Sequence, residues 1–127
     1  MFKHKFEYRE GEWFAPPISP DDSIDFELDF IEFLALRRED DGEYVLDDEG
    51  NILLADELDE VLWTAEPTLS LDSTITIVTA ALSHTERTAK VWIKDAEIGE
   101  IYRITASVTT TGNRHFSRSF KTVCRKR

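Results

Sequence analysis

Alternation of apolar and acidic residues marks the first core element of the chain. Between residues 23 and 30 every second residue is apolar, and the residues between them are acidic. Side chains of a strand point alternately to its two faces, so this pattern predicts a half-buried strand with a charged outer face. The alternation ends at Phe30, and the apolar residues at 30–36 fit one or two helical turns. The inward positions are Ile24, Phe26, Leu28 and Phe30, and the outward positions are Asp25, Glu27 and Asp29.

The second half of the chain contains short runs rich in β-branched and aromatic residues, which are typical of strands. Turn-forming residues separate the runs, and Gly112-Asn113 supplies the positive-φ residues that a tight hairpin needs. About seven short strands, spaced near ten residues apart and joined by short links, predict an all-β fold, a small antiparallel β-sandwich. The predicted strands of this half are residues 61–65, 75–80, 87–94, 100–110 and 115–124. Alternation within two of them predicts these inward positions: Ala89, Val91 and Ile93, and Tyr102, Ile104, Ala106 and Val108.

Two segments depart from this strand pattern. The sequence predicts an extended arm at residues 1–20 and a sandwich domain at residues 21–127. The arm is expected to be extended because three prolines between positions 16 and 20 fix φ and remove backbone donors. The arm carries large aromatic side chains that are costly to leave in water, so we expect it to pack on its own domain or on a neighbour. Residues 39–60 form an acidic excursion with a predicted turn near Gly50-Asn51.

Composition excludes several classes of function. The chain has 127 residues, a length that is enough for one domain. Its net charge of −11 is unfavourable for binding nucleic acid or anionic membranes. No apolar run approaches the roughly 20 residues that span a bilayer. The N-terminal residues lack the continuous apolar stretch of a signal peptide, which predicts a chain that is cytosolic when made.

The charge is unevenly distributed along the chain. Residues 1–60 hold 20 acids and 5 bases, whereas residues 61–127 hold 6 acids and 10 bases. Such polarity favours head-to-tail contact between copies or docking of the two ends on different partners. The alternative interpretation is a set of solvated acidic loops and a frayed basic tail.

The residues that could carry catalysis or bind a metal do not form a recognisable constellation. The three histidines are scattered, Cys124 is the single cysteine, and neither a nucleophile motif nor a glycine-rich phosphate loop is present. We therefore expect no enzyme activity, no cofactor and no metal. Asp47, Glu49 and Asn51 have the spacing of the first calcium ligands of an EF-hand, but the sixth position is isoleucine and the twelfth is leucine, which favours a solvated turn.

The tryptophans indicate contact surfaces rather than chemistry. Trp63 lies in an apolar run and is predicted to be a core anchor. Trp92 shares a strand face with Lys90 and Lys94, and an outward tryptophan between lysine stems is either a surface cluster or an interface hot spot. The candidate contact residues are Trp13, Phe14, Lys90, Trp92, Lys94 and the terminal Arg125, Lys126 and Arg127.

A series of motifs gives the chain a family resemblance. They are the acidic opening Asp25 to Asp29 with Phe30 and Phe33-Leu34-Ala35, the central Trp63, Gly99-x-x-Tyr102-x-Ile104-Thr105, Gly112-Asn113-Arg114, and Arg118-Ser119-Phe120. Over roughly residues 21–123 the chain resembles the small Ig-like adaptor proteins of tailed bacteriophages, of the fibre–tail adaptor type. Ile98 replaces the usual second glycine beside Gly99, and Asn113 separates the usual Gly-Arg pair.

This resemblance implies an Ig-like sandwich that acts as a non-enzymatic virion structural protein. Such a protein is made in the bacterial cytoplasm and is then part of the virion tail. Its partners would be tail, connector or fibre proteins, and its copies would form a cyclic oligomer. The alternative function is a carbohydrate- or calcium-dependent binding module, which the outward tryptophan and the acidic loops suggest.

Overall fold

Two β-sheets packed face to face form the fold, which we describe from a computed structural model covering residues 6–70 and 72–126. The larger sheet has the strand order β1-β2-β9-β8-β4, and the smaller has the order β3-β7-β5, with β6 also pairing with β7. The predicted all-β sandwich is confirmed. The strands are β1 (Glu7–Arg9), β2 (Glu12–Phe14), β3 (Ile24–Asp29), β4 (Leu58–Pro67), β5 (Thr76–Ile77), β6 (Ser83–His84), β7 (Thr88–Lys94), β8 (Ile101–Thr110) and β9 (His115–Val123), with a helical turn α1 (Ile31–Leu34) and a 3-10 turn at Thr79–Ala81.

The core lies between the sheets and is built from alternate residues of the long strands. Burying these apolar faces is the main favourable contribution to folding. Three phenylalanines, Phe6, Phe26 and Phe120, form an aromatic cluster with ring centroids 5.1–6.1 Å apart. The buried positions predicted from alternation are confirmed at Phe26 and Leu28 in β3, Ala89, Val91 and Ile93 in β7, and Tyr102, Ile104, Ala106 and Val108 in β8.

Two local expectations differ from the structure. The strand predicted at residues 75–80 is only two residues long, because a 3-10 turn begins after Val78. The Val78 N–H still donates to the Trp92 carbonyl of the neighbouring strand at 2.9 Å. Asp29 was expected to face solvent but is buried. Its carboxylate accepts hydrogen bonds from the Arg87 guanidinium at 2.8 Å and from the Ile31 N–H at 3.0 Å, so it connects the end of β3 to the first residue of α1 and to the residue before β7.

The aromatic N-terminal segment forms an edge of the larger sheet. Strands β1 and β2 make a hairpin, and β2 pairs with β9 through Phe14 and Lys121. We expected antiparallel pairing throughout, but this pair is parallel because the chain leaving β2 runs in the same direction as β9. Two hydrogen bonds continue the pairing beyond β2: the Ala15 N–H donates to the Lys121 carbonyl and the Ile18 N–H donates to the Val123 carbonyl. The prolines between them lie at the sheet edge, where no donor is needed. A domain boundary at residue 20 stays a prediction.

The acidic excursion folds into a small projecting unit, residues 35–55, which we call the acidic knob. Three of its backbone segments form a closed ring of hydrogen bonds: Leu36 N–H to the Leu53 carbonyl, Leu53 N–H to the Val45 carbonyl, and Val45 N–H to the Leu36 carbonyl, at 2.8–2.9 Å. The predicted turn forms with Gly50 at φ +87°. Asp47 stabilises this turn, since its carboxylate accepts hydrogen bonds from the N–H groups of Glu49 and Asn51.

The knob defines two ends of the sandwich. It follows the end of β3 through α1 and precedes the start of β4, where Leu58 pairs with Thr110 near the β8–β9 turn. We call this the knob end. The opposite end, where Ile101 pairs with Val123, carries Ile98 and the residues after β9, and we call it the tail end. The two ends are separated by the length of ten-residue strands, roughly 30 Å.

Candidate interaction surfaces

A buried carboxylate fastens the acidic knob to the sandwich. Asp56 accepts hydrogen bonds from the Gly112 N–H at 2.8 Å, from the Thr111 hydroxyl at 3.0 Å and from the Arg114 Nε at 2.9 Å. The Arg114 Nη2 also donates to the Phe33 carbonyl at 2.7 Å. Burial raises the pKa of Asp56, but the donors outweigh it and hold the pKa well below the usual range. The knob is therefore held rigidly at its base.

The surface of the knob combines leucines with carboxylates. Leu36, Leu46 and Leu53 are 42%, 54% and 39% exposed, although each is a residue type that folding normally buries. Two arginines belong to the same unit: Arg37 stacks on the Tyr44 ring at 4.6 Å, and Arg38 pairs with two neighbouring aspartates. The carboxylates of the knob are Glu39, Asp40, Asp41, Glu43, Asp47, Asp48 and Glu49.

Part of the charge asymmetry of the sequence is used inside the fold. Five of the ten bases of the second half pair with acids of the first half, so these five are already engaged within the fold. In the part of the chain that the structure describes, no base pairs with Glu39, Glu43, Asp48 or Glu49 of the knob. The ion pairs between the two halves of the chain are Arg87 with Asp29, Lys90 with Asp25, Arg103 and Lys121 with Glu12, and Arg114 with Asp56.

The hairpin of β1 and β2 carries two predicted contact residues on opposite faces. Trp13 is 37% exposed and meets Tyr8 edge to face, with ring centroids 5.1 Å apart. Phe14 is half-buried, and the Arg9 guanidinium lies 4.4 Å from its ring centroid. Because neighbouring residues of a strand point to opposite faces, these two aromatics do not form one patch.

Glu12 holds this hairpin against the larger sheet. Its carboxylate accepts hydrogen bonds from Lys121 Nζ at 2.7 Å and from Arg103 Nη2 at 3.0 Å. The hydrogen bonds from Lys121 and Arg103 lower the pKa of Glu12. The anchor thus fixes the position of the exposed Trp13 beside it.

The outer face of β7 carries three more predicted contact residues. Trp92 lies on the outward face, as alternation predicted, and is half-buried there, in a strand that pairs with β3 at Asp25 on one side and with the Val78 N–H on the other. Lys90 Nζ lies 3.9 Å from the Asp25 carboxylate, and Lys94 is exposed. The alternation that places these three side chains on one face holds, but the tryptophan offers less surface than expected.

The basic tail lies at the tail end, away from the knob. Arg125 and Lys126 are exposed, and the Arg125 N–H donates to the Ile18 carbonyl at 2.9 Å. Arg127 lies outside the described residues. The structure therefore distributes the predicted contact residues over three places: the hairpin, the outer face of the smaller sheet and the tail end. Whether they touch partners stays a prediction.

Sequence reasoning missed two apolar features of the surface. The knob leucines are one, and Leu62 on the outer face of the larger sheet, 66% exposed, is the other. Leu62 borders a shallow groove of about 780 Å³ across β4, β8 and β9. Strand alternation could have placed Leu62 outside, because it is one residue from the core position Trp63. The lining of the groove is mixed: small polar residues such as Ser107 and Thr109 alternate with apolar, acidic and histidine side chains.

The titratable groups elsewhere serve the fold. Cys124 is fully buried, and burial raises the pKa of its thiol. Glu100 is also buried and accepts hydrogen bonds from the N–H groups of Leu69, Ser70 and Ile101 at 2.8–2.9 Å. Within residues 6–70 and 72–126, no group of three or more histidine, cysteine, aspartate or glutamate residues is placed to hold a metal ion.

Searches for similar proteins identify the family. The family model of the podophage GP4 fibre-tail adaptor protein gp77 matches residues 19–122 of the chain. Curated proteins and solved structures gave no significant match. Among the described residues, no helix is long and apolar enough to cross a membrane. Because the match covers most of the chain, the protein belongs to the podophage GP4 fibre-tail adaptor family.

Proposed function

We propose that this member of the podophage fibre-tail adaptor family links tail or connector proteins to fibres, without catalysis, through protein–protein contacts. The family match over residues 19–122 carries the proposal. The fold is compatible with a linking role, because its knob end and its tail end expose different side chains and can contact different neighbours. The side chains with unusual pKa values, such as Asp56 and Glu100, are engaged in hydrogen bonds that hold loops in place, a structural use of these groups.

The same proposal includes how the copies are arranged and where they are found. We propose that several copies assemble around the tail with cyclic symmetry, as is common for closed oligomers. The chain would be made in the bacterial cytoplasm and then become part of the virion. Tail, connector and fibre proteins are its proposed partners, and neither nucleic acid nor a membrane is among them.

The contact residues of this role are proposed from exposure and residue type. Trp13 is the strongest of them, since it is exposed and is held in place by the Glu12 anchor. Large aromatic side chains dominate the binding energy of many interfaces. Phe14, Lys90, Trp92, Lys94, Arg125, Lys126 and Arg127 complete the set.

Quantitative mass spectrometry of purified phage particles tests this function. The chain should be present in particles at a number of copies comparable to other tail proteins, and a Trp13→Ala variant should be incorporated less well. Thr64→Ala, an exposed substitution on the larger sheet, is the matched control. Particles that contain the other tail proteins but lack this chain would overturn the proposal. Calorimetry with calcium and a panel of glycans would then test the alternative of a ligand-binding module.

A further inference from the structure

The acidic knob exposes three large apolar side chains. Eight large hydrophobic residues are exposed among the described residues, and three of them, Leu36, Leu46 and Leu53, fall within 18 residues of sequence. Leu36 and Leu53 are directly joined by a backbone hydrogen bond of 2.9 Å. Clustered exposed apolar side chains with a polar rim are typical of protein-binding sites.

The rigidity of the knob removes much of the entropic cost of using it as a binding surface. Its backbone segments are joined in a closed ring of hydrogen bonds at Leu36, Val45 and Leu53. Its base is held by the Asp56–Arg114 pair, and the Arg118 guanidinium lies 4.1 Å from the Phe33 ring centroid just before the knob begins. A surface that is already ordered loses little conformational freedom on binding.

The charges around the leucines identify the chemistry of the partner. The knob has seven carboxylates and two arginines, and both arginines are engaged within the knob itself. Five of the ten bases of the second half are engaged too, in ion pairs with Asp29, Asp25, Glu12 and Asp56. The knob therefore has a net negative charge, which a positively charged partner surface complements.

We infer that the acidic knob is the docking surface for a basic and aliphatic surface of a different tail protein, in which apolar side chains cover Leu36, Leu46 and Leu53 and lysines or arginines meet the surrounding carboxylates. The inference rests on the proposed function and adds to it a surface and a partner chemistry. A second copy of this chain is the less suitable partner. At its tail end the exposed base Lys126 lines the same shallow cavity as Asp21 and Asp22, whose charge is opposite.

Matched leucine variants test the apolar part of the surface. The double variant Leu46→Ser and Leu53→Ser should reduce the number of copies incorporated per particle by about tenfold. The control is Leu62→Ser with Leu69→Ser, the same substitution at positions that are 66% exposed but lie outside the knob. Thermal unfolding of the purified variants should show that both double variants fold, because all four leucines are substantially exposed.

Charge variants and cross-linking test the polar part. The side chains of Glu39, Glu43, Asp48 and Glu49 form no hydrogen bond or ion pair with the residues that the structure describes. Removing their charge should weaken incorporation in proportion, whereas the same change at four exposed acids outside the knob should not: Asp59, Glu60, Glu66 and Glu86. A carbodiimide that joins carboxylates directly to amines, applied to intact particles, should link Glu43, Asp48 or Glu49 to lysines of a different tail protein.

The outcomes separate this inference from the proposed function. Normal incorporation of the knob variants, equal loss of the control variants, or knob cross-links to lysines of this same chain would each overturn the knob assignment while leaving an adaptor in the particle. Absence of the unaltered chain from particles would overturn the proposed function and the knob assignment together. Loss confined to the knob variants, with cross-links to another tail protein, supports both.

Discussion

Arg114 donates from its Nε to the Asp56 carboxylate at 2.9 Å, and this pair joins the β8–β9 turn to the segment between the knob and β4. The two residues are 58 positions apart in sequence. The contact decides where the acidic knob stands relative to the sandwich, because the same guanidinium also holds the Phe33 carbonyl on the other side of the knob.

Substituting Asp56 by asparagine should destabilise the protein. The variant keeps the shape of the side chain but loses the charge that pairs with Arg114, and hydrogen bonds to charged groups contribute about 1.5–3 kcal/mol each. We expect a loss of about 2 kcal/mol in the free energy of unfolding at pH 7, measured by urea denaturation. A free energy equal to that of the unaltered protein would show that the pair does not hold the knob.

The stability difference between these two proteins should shrink in acid. The folded-state pKa of Asp56 is lowered from its ordinary value of 3.8, so its stabilising effect is complete above that value. It is lost progressively as the pH falls from about 4 toward the lowered pKa, and the asparagine variant has no such effect to lose. Melting temperatures at pH 7 and at pH 2.5 should therefore be further apart for the unaltered protein than for Asp56→Asn.

Gly112→Ala should be destabilising for a steric reason. A Cβ at this position would lie 2.9 Å from the Asp56 Oδ2, and this carboxylate is held in place by hydrogen bonds from Arg114 to Oδ2 and from Thr111 to Oδ1. We expect a cost of about 1–3 kcal/mol in unfolding free energy, since crowding a packed site typically costs that much. In the double variant with Asp56→Ala the clash is removed, so adding Gly112→Ala to Asp56→Ala should cost much less. Equal costs in the two backgrounds would contradict the contact.

Glu12→Gln should loosen the hairpin of β1 and β2 without unfolding the sandwich. The substitution weakens the contacts to Lys121 and Arg103 that hold the hairpin against the larger sheet. Hydrogen exchange should become faster at residues 7–14 and remain unchanged in β8. Glu10→Gln, at an exposed position in the hairpin turn, is the control. Unchanged exchange in the Glu12 variant would show that the hairpin is held by its aromatic packing alone.

Cys124 should resist thiol reagents in the folded protein. It is fully buried, and the raised pKa of its thiol disfavours the reactive thiolate at neutral pH. Labelling by a water-soluble disulfide reagent should be slow at pH 7.5 and rapid in denaturant. Rapid labelling of the folded chain would place Cys124 at an accessible site.

The sequence predicted the elements whose pattern is periodic. Alternation placed Tyr102, Ile104, Ala106 and Val108 in the core, because a strand with one buried face must repeat every two residues. Alternation could not predict the burial of Asp29 or the half-burial of Trp92, because both depend on partners distant in sequence. Asp29 is paired with Arg87, and the strand of Trp92 is flanked by Asp25 of β3 and by the turn at Val78.

The candidate surfaces were predictable only in part. The acidic excursion and its turn were visible from composition, and the turn forms where Gly50 permits a positive φ. The exposure of the knob leucines was not visible, because a leucine in a short apolar run such as residues 44–46 reads as a core residue until the three-segment ring is known. The charge asymmetry suggested contact between copies, whereas five of the ten bases of the second half form ion pairs within the fold.

The most direct test of the adaptor role is the abundance of this chain in purified phage particles, measured by mass spectrometry against the other tail proteins of the same particles. The account predicts that the chain is present at a fixed ratio to those proteins and remains after the particles are banded by density. Its absence from particles that contain a complete set of the other tail proteins would contradict the account.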